Sequence, residues 1–170
     1  MAVLEIIKVG HPTLEQKALP VENITSEIVE LARNMVETMH KAPGIGLAAP
    51  QVNRSLRLIT VDLSVGEHPD QLIVMINPEI VEKEGELLGE EGCLSVPGIY
   101  ENVLRPARVQ VRGYDLDGRE IVLEAEDLLA RVFCHEIDHL EGKLFIDRLS
   151  PLKRHLIKNR LKKELGKKKG

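Results

Sequence analysis

The chain has 170 residues, 43% apolar and 29% charged, which is enough for one compact domain with its own core and unlike the composition of a disordered segment. Its formal net charge of -4 gives the body of the protein no electrostatic basis for binding DNA, although residues 153–169 are strongly basic. No apolar run reaches the length of a membrane span and Glu5 interrupts the apolar N-terminus, so neither a membrane anchor nor a signal peptide is expected, and a cytoplasmic or organellar-matrix protein follows. In that reducing setting Cys93 and Cys134 are expected as free thiols.

In chain order, Ile28, Leu31, Ala32, Met35 and Met39 recur at helical spacing behind Thr25 and Ser26 as N-caps, and Pro43-Gly44 stops that helix. An apolar, glycine-punctuated loop occupies residues 44–51. Residues 56–63 and 71–76 read as strands, rich in branched apolar side chains. Residues 90–98 set Cys93 among Gly92, Gly98 and Pro97, a segment that allows close backbone approach and a stiff turn. Residues 107–114 and 120–124 form a hairpin turning at Gly118. A second helix covers about residues 125–141 and stops at Gly142. A third begins at Ser150-Pro151 and carries Leu152, Leu156, Leu161 and Leu165. Strands and helices do not alternate regularly. The expected fold is therefore α+β, with antiparallel strands packed around a central metal-binding helix, plus a C-terminal helix. Residues 1–170 are read as a single catalytic domain, with about 150–170 as its terminal helix and basic tail.

The chemistry concentrates in His135-Glu136-Ile137-Asp138-His139. Residues four apart on a helix share a face, so both imidazoles can meet one metal ion, while Glu136 lies near enough to move a proton without coordinating. Leu128, Val132 and Leu140 lie close to the same face and turn it toward a core or cleft. A catalytic site of this kind needs a third protein ligand. The zinc-peptidase continuation would place a histidine at 145, where this chain has Phe145. Glu141 is too close and Glu164 lies in a separate basic helix, which leaves Cys93 upstream as the candidate. His40, His68 and His155 have no partners at ligand spacing and are expected to face solvent.

Three segments, Gly44-Ile45-Gly46-Leu47-Ala48-Ala49-Pro50-Gln51, Glu91-Gly92-Cys93-Leu94-Ser95 and His135-Glu136-Ile137-Asp138-His139, resemble the signature motifs of the peptide deformylase family in content, order and separation. The opening Ile7-Lys8-Val9-Gly10-His11-Pro12-Thr13-Leu14 is similar to the family's N-terminus. The resemblance implies a small α+β metallohydrolase that removes the N-formyl group from the N-terminal methionine of newly made proteins and releases formate. It implies one divalent metal, Fe2+ in the cell with Zn2+ or Ni2+ as substitutes, held by Cys93, His135 and His139. A water activated by that metal attacks the formyl carbon. Glu136 is then the general acid/base, and Gln51 and the Leu94 N–H are the oxyanion donors. The nascent peptide pairs with the Gly46 segment, and Ile45, Leu128 and Val132 line a narrow methionine slot with Arg131 at its mouth. Glu91 and Gly92 flank the substrate, and Glu91 with Arg105 forms either a buried brace for the Cys93 segment or an ordinary surface pair. Cys134 stands where glutamine is usual and is read as a packing residue. The basic tail is either a solvated helix end or a contact to ribosomal RNA. The rival activities are cleavage of internal peptide bonds, against which Phe145, Cys93 and Gln51 argue, and a metal-stabilised binding module, against which the intact Glu136 argues.

Overall fold

The computed structural model describes residues 2–169. Helix α1 (Ser26–Lys41) begins where the Thr25 hydroxyl accepts the Ile28 N–H at 3.4 Å, meeting one of the donors that a helix start leaves free. Seven strands follow among the described residues: β1 (Gly46–Ala48), β2 (Leu58–Val61), β3 (Ile73–Glu84), β4 (Leu87–Cys93), β5 (Val96–Arg105), β6 (Arg108–Tyr114) and β7 (Glu120–Glu126). Five of them make one antiparallel sheet in the order β1-β2-β3-β6-β7, and β4 pairs with β5 as a separate hairpin. Helix α2 (Asp127–Leu140) follows β7, and α3 (Pro151–Lys169) ends the described chain.

The period-two alternation of β2 decides which helix lies on which face of the sheet. Leu58 joins Leu47 and Ile76 under the apolar stripe of α1, Ile28, Leu31, Met35 and Met39. Ile59 and Val61 point the other way, into a cluster with Met75, Val109, Val111 and the α2 residues Phe133, Ile137 and Leu140. Each such buried side chain stabilises the fold by roughly 1.5–3 kcal/mol over its exposed state. Every residue of α2 from Ala130 to Leu140 is buried. That helix therefore takes its polar side chains inside with it, and each must find a partner there.

Three departures from the sequence expectation have local causes. Residues 46–48 are an edge strand rather than loop, because Gly46, Leu47 and Ala48 pair with Val61, Thr60 and Ile59; a three-residue strand is set by its distant partner, not by its own propensity. The β4–β5 hairpin was not anticipated beyond the Cys93 segment, since the glycines and glutamates of residues 84–92 mask the alternation. In α3 the buried residues are Ile157 and Leu161, which pack with Val96, Ile99, Phe145 and Ile146. Leu152 and Leu156, which the sequence reading put on the same helix, are exposed, and the side chain of Leu165 lies outside the described residues. Among the described side chains of that helix, Ile157 and Leu161 mark the contact face, one residue out of step with Leu152 and Leu156.

Candidate metal centre

Cys93 closes β4, and His135 and His139 lie one turn apart on α2. The Cys93 sulfur and one ring nitrogen from each histidine all lie within 4.8 Å of one another, with Cys93 Sγ 3.4 Å from His139 Nε2. His139 is fully buried. Burial, and then the neighbouring His135, hold its pKa well below the ordinary imidazole value, which favours the neutral form that metal binding requires. His135 Nδ1 faces Glu91 Oε1 at 3.0 Å, which leaves Nε2 for a metal. One sulfur and two imidazoles converging in this way fit a divalent transition ion. Phe145, at the place of a zinc-peptidase histidine, stacks on the His135 ring with centroids 6.0 Å apart and planes at 24°. It holds the ring by packing instead of adding a ligand.

Glu136 is 4% exposed, and among the described residues its Oε1 is buried without a hydrogen-bond partner. Burial pushes its carboxyl up to about 7, against the opposing pull of His135 and Arg105, into the range useful to a general acid/base near neutral pH. Gly46 makes room for it. A Cβ at that position would stand 2.5 Å from Glu136 Oε2 and 2.8 Å from a Val132 methyl, so a side chain there would displace the carboxylate.

Gln51 is buried at the end of β1's following turn, and its amide is oriented by its neighbours. Oε1 accepts the Ala48 N–H at 3.0 Å, and Nε2 donates to Ser95 Oγ at 3.2 Å and toward Cys93 Sγ at 3.6 Å. The donor end therefore faces the sulfur ligand. Leu94 follows Cys93 directly in the tight connection between β4 and β5. Ser95 carried no assigned role in the sequence, although its fixed distance of two residues from Cys93 is the feature that would have flagged it.

Glu91 is the buried brace, not a surface pair. Arg105 donates to both its oxygens, Nε to Oε2 at 2.8 Å and Nη2 to Oε1 at 2.9 Å, and Arg131 Nη1 adds 2.7 Å to Oε2. Burial alone would raise the Glu91 carboxyl, but hydrogen bonds from Arg105 and His135 outweigh it and bring the pKa down to about 2. The metal ligand His135 thus faces a carboxylate that its arginine partner keeps ionised near neutral pH.

A cleft of about 440 Å³ opens over these groups, and Ile45, Gly46, Glu91, Gly92, Leu128, Arg131 and Val132 all line it. Arg131 is not at its mouth as expected. Its guanidinium is buried and donates to the Leu87, Gly89 and Val103 carbonyls as well as to Glu91, clamping α2 to the β4–β5 hairpin. The exposed rim carries Leu128 and Tyr100 together with Glu90. Tyr100 was missed because an exposed strand aromatic carries no chemical signature in a sequence. Cys134 is buried on a different side of α2, which agrees with a packing role. His40, expected in solvent, pairs with Asp62 at 2.7 Å away from the cleft.

The family model for polypeptide deformylase matches residues 3–155 of the chain. A peptide deformylase of Syntrophobacter fumaroxidans is 54% identical over 165 residues, covering 97% of this chain and 97% of that protein. The crystal structure of a peptide deformylase from Legionella pneumophila superposes with a TM-score of 0.91 at 42% identity over 98% of each chain. That of the peptide deformylase from Thermus thermophilus gives 0.89 at 45% identity, covering 97% of this chain and 96% of its own. Among the described residues no helix is long and apolar enough to cross a membrane.

Proposed function

The chain belongs to the polypeptide deformylase family, and from that premise we propose how its residues divide the work of removing the formyl group from the N-terminus of nascent peptides. Cys93, His135 and His139 would hold one divalent ion. When bound, that ion supplies Lewis acidity, which for zinc brings the pKa of water from 15.7 to about 7. Several divalent ions suit this donor set, and it is the family membership that makes ferrous iron the expected resident, with zinc or nickel as substitutes.

Glu136 takes the proton of the attacking water and returns it to the departing amine. The observation that carries this role is its buried carboxylate, with one oxygen unpartnered and the other against the glycine of β1. Attack on the formyl carbon leaves negative charge on the formyl oxygen, which the Gln51 amide and the Leu94 N–H receive. The peptide lies extended beside Gly46, where β1 is the edge strand of its sheet. Its methionine side chain enters the apolar part of the cleft between Ile45, Leu128 and Val132, with Gly92 and the Glu91 backbone on the facing wall.

Gln51→Ala is expected to lower kcat about 100- to 1000-fold, or about 2.7–4 kcal/mol in barrier, with KM changed much less. Steady-state formate release from a formyl-Met tripeptide measures this. A loss confined to KM would make Gln51 a substrate-binding group and remove it as an oxyanion donor.

We also propose that the basic end of α3 contacts ribosomal RNA. Five lysines follow Leu161, and Ile157 and Leu161, which pack α3 against the body of the protein, precede them all. Truncation after Leu161 is expected to leave turnover of short peptides unchanged and to weaken salt-dependent ribosome binding in sedimentation assays. Equal ribosome binding by the two proteins would dismiss the contact.

A further inference from the structure

Arg148 takes no part in the cleft, yet it is bonded into the site from behind. Its Nη2 donates to Asp138 Oδ1 at 2.7 Å and its Nε to Asp138 Oδ2 at 3.0 Å. The same Oδ2 accepts Arg105 Nη1 at 2.7 Å. Arg105 turns its remaining bonds onto Glu91, and Glu91 meets His135 Nδ1. We propose that Arg148 is a positioning residue for the metal: through Asp138, Arg105 and Glu91 it fixes the ring of His135. This inference rests on Cys93, His135 and His139 being the metal ligands.

An isolated pair at this level of exposure would do little, since the Arg148 side chain is 44% exposed. Its partners are different. The side chains of Asp138 and Arg105 are 11% and 3% exposed, so their charges cannot be left to water. Arg105 stands between two carboxylates that compete for it. With Arg148 occupying both oxygens of Asp138, Arg105 keeps two bonds for Glu91. Without Arg148, Asp138 Oδ1 loses its partner in a buried place, and Arg105 is the cation already bonded to that carboxylate. Drawn toward Asp138, it loosens its grip on Glu91, and the His135 ring gains freedom that favours release of the metal.

A cavity of about 280 Å³ borders Arg148, Asp138, Arg105 and Cys134 on this side of α2. The side chain can therefore be exchanged without a packing clash, and a small cation from solvent can reach the place it leaves.

The test uses the metal-loaded full chain and follows metal release to an excess of chelator. Partners that orient a ligand directly are typically worth 10- to 100-fold in metal affinity. Arg148 acts further out, so Arg148→Leu is expected to speed release about 3- to 10-fold, with Arg148→Lys between the two. Added guanidinium ion should slow release from Arg148→Ala and leave the parent protein unaffected. Release at the parent rate from Arg148→Leu, together with a lower melting temperature of the stripped protein, would reduce Arg148 to a stabilising ion pair and overturn the proposal. His139→Ala separates this from failure of the ligand reading. If that variant keeps its metal, the ligand set itself is wrong; if it loses the metal while Arg148→Leu releases normally, only the role of Arg148 is lost.

Discussion

Glu136→Gln is expected to bind metal as the parent does and to release formate about a thousand-fold more slowly. The substitution keeps the volume of a side chain that is 4% exposed and wedged against β1, so the packing of Val132 and Gly46 stays as it is. What changes is the ability to take a proton from water and hand it to the amine. General acid–base groups are worth about 10²–10⁴-fold, and a thousand-fold loss corresponds to about 4 kcal/mol of barrier. Because glutamine also removes a charge from beside His135, metal content must be measured on the same sample as turnover. Full metal with near-normal turnover would take the acid/base role away from Glu136. Loss of metal and turnover together would place Glu136 in the ligand set, where its unpartnered oxygen could coordinate.

The second large effect is expected from Cys93→Ala. Protein purified without oxygen should carry close to stoichiometric iron, and the alanine variant should carry almost none, with formate release falling in step. A catalytic ion of this type depends on three protein ligands, and the sulfur is the only one that does not come from α2. Losing it should cost at least the roughly 100-fold in affinity that removal of an outer partner reaches. Unchanged metal content would disprove the ligand assignment. A parent protein loaded with zinc from an oxygen-free preparation would leave the ligands standing and replace iron as the resident ion.

The parts of this architecture that were legible in the sequence are those specified locally. Helix α1 announced itself through the stripe from Ile28 to Met39 and its Thr25 cap, and α2 through histidines four apart. The ligand set was legible because three short motifs kept their order. What stayed hidden depends on residues far apart in the chain. Nothing near Gly46 says that it pairs with Val61. Nothing near Arg131 says that its donors will be consumed by the carbonyls of Leu87 and Val103, so its charge suggested a rim position that the fold denies it. Leu152 and Leu156 belong to the right helix, but its buried residues are Ile157 and Leu161, and Leu156 is turned about 100° away from Ile157. Nothing near Asp138 says that Arg148, ten residues on, will bond both its oxygens once the segment after α2 folds back along it.

The manner in which α2 is enclosed also limits how far its motif can travel. A designer who copied His135-Glu136-Ile137-Asp138-His139 onto another helix would bring two ligands and a carboxylate. The copy would lack the Glu91 that aligns one imidazole, the Phe145 that stacks on it, the glycine that admits Glu136, and the arginines that keep Glu91 ionised. These come from four other stretches of chain and from an earlier turn of α2 itself. The five residues are therefore less a portable cassette than the visible edge of a network that has to be inherited whole.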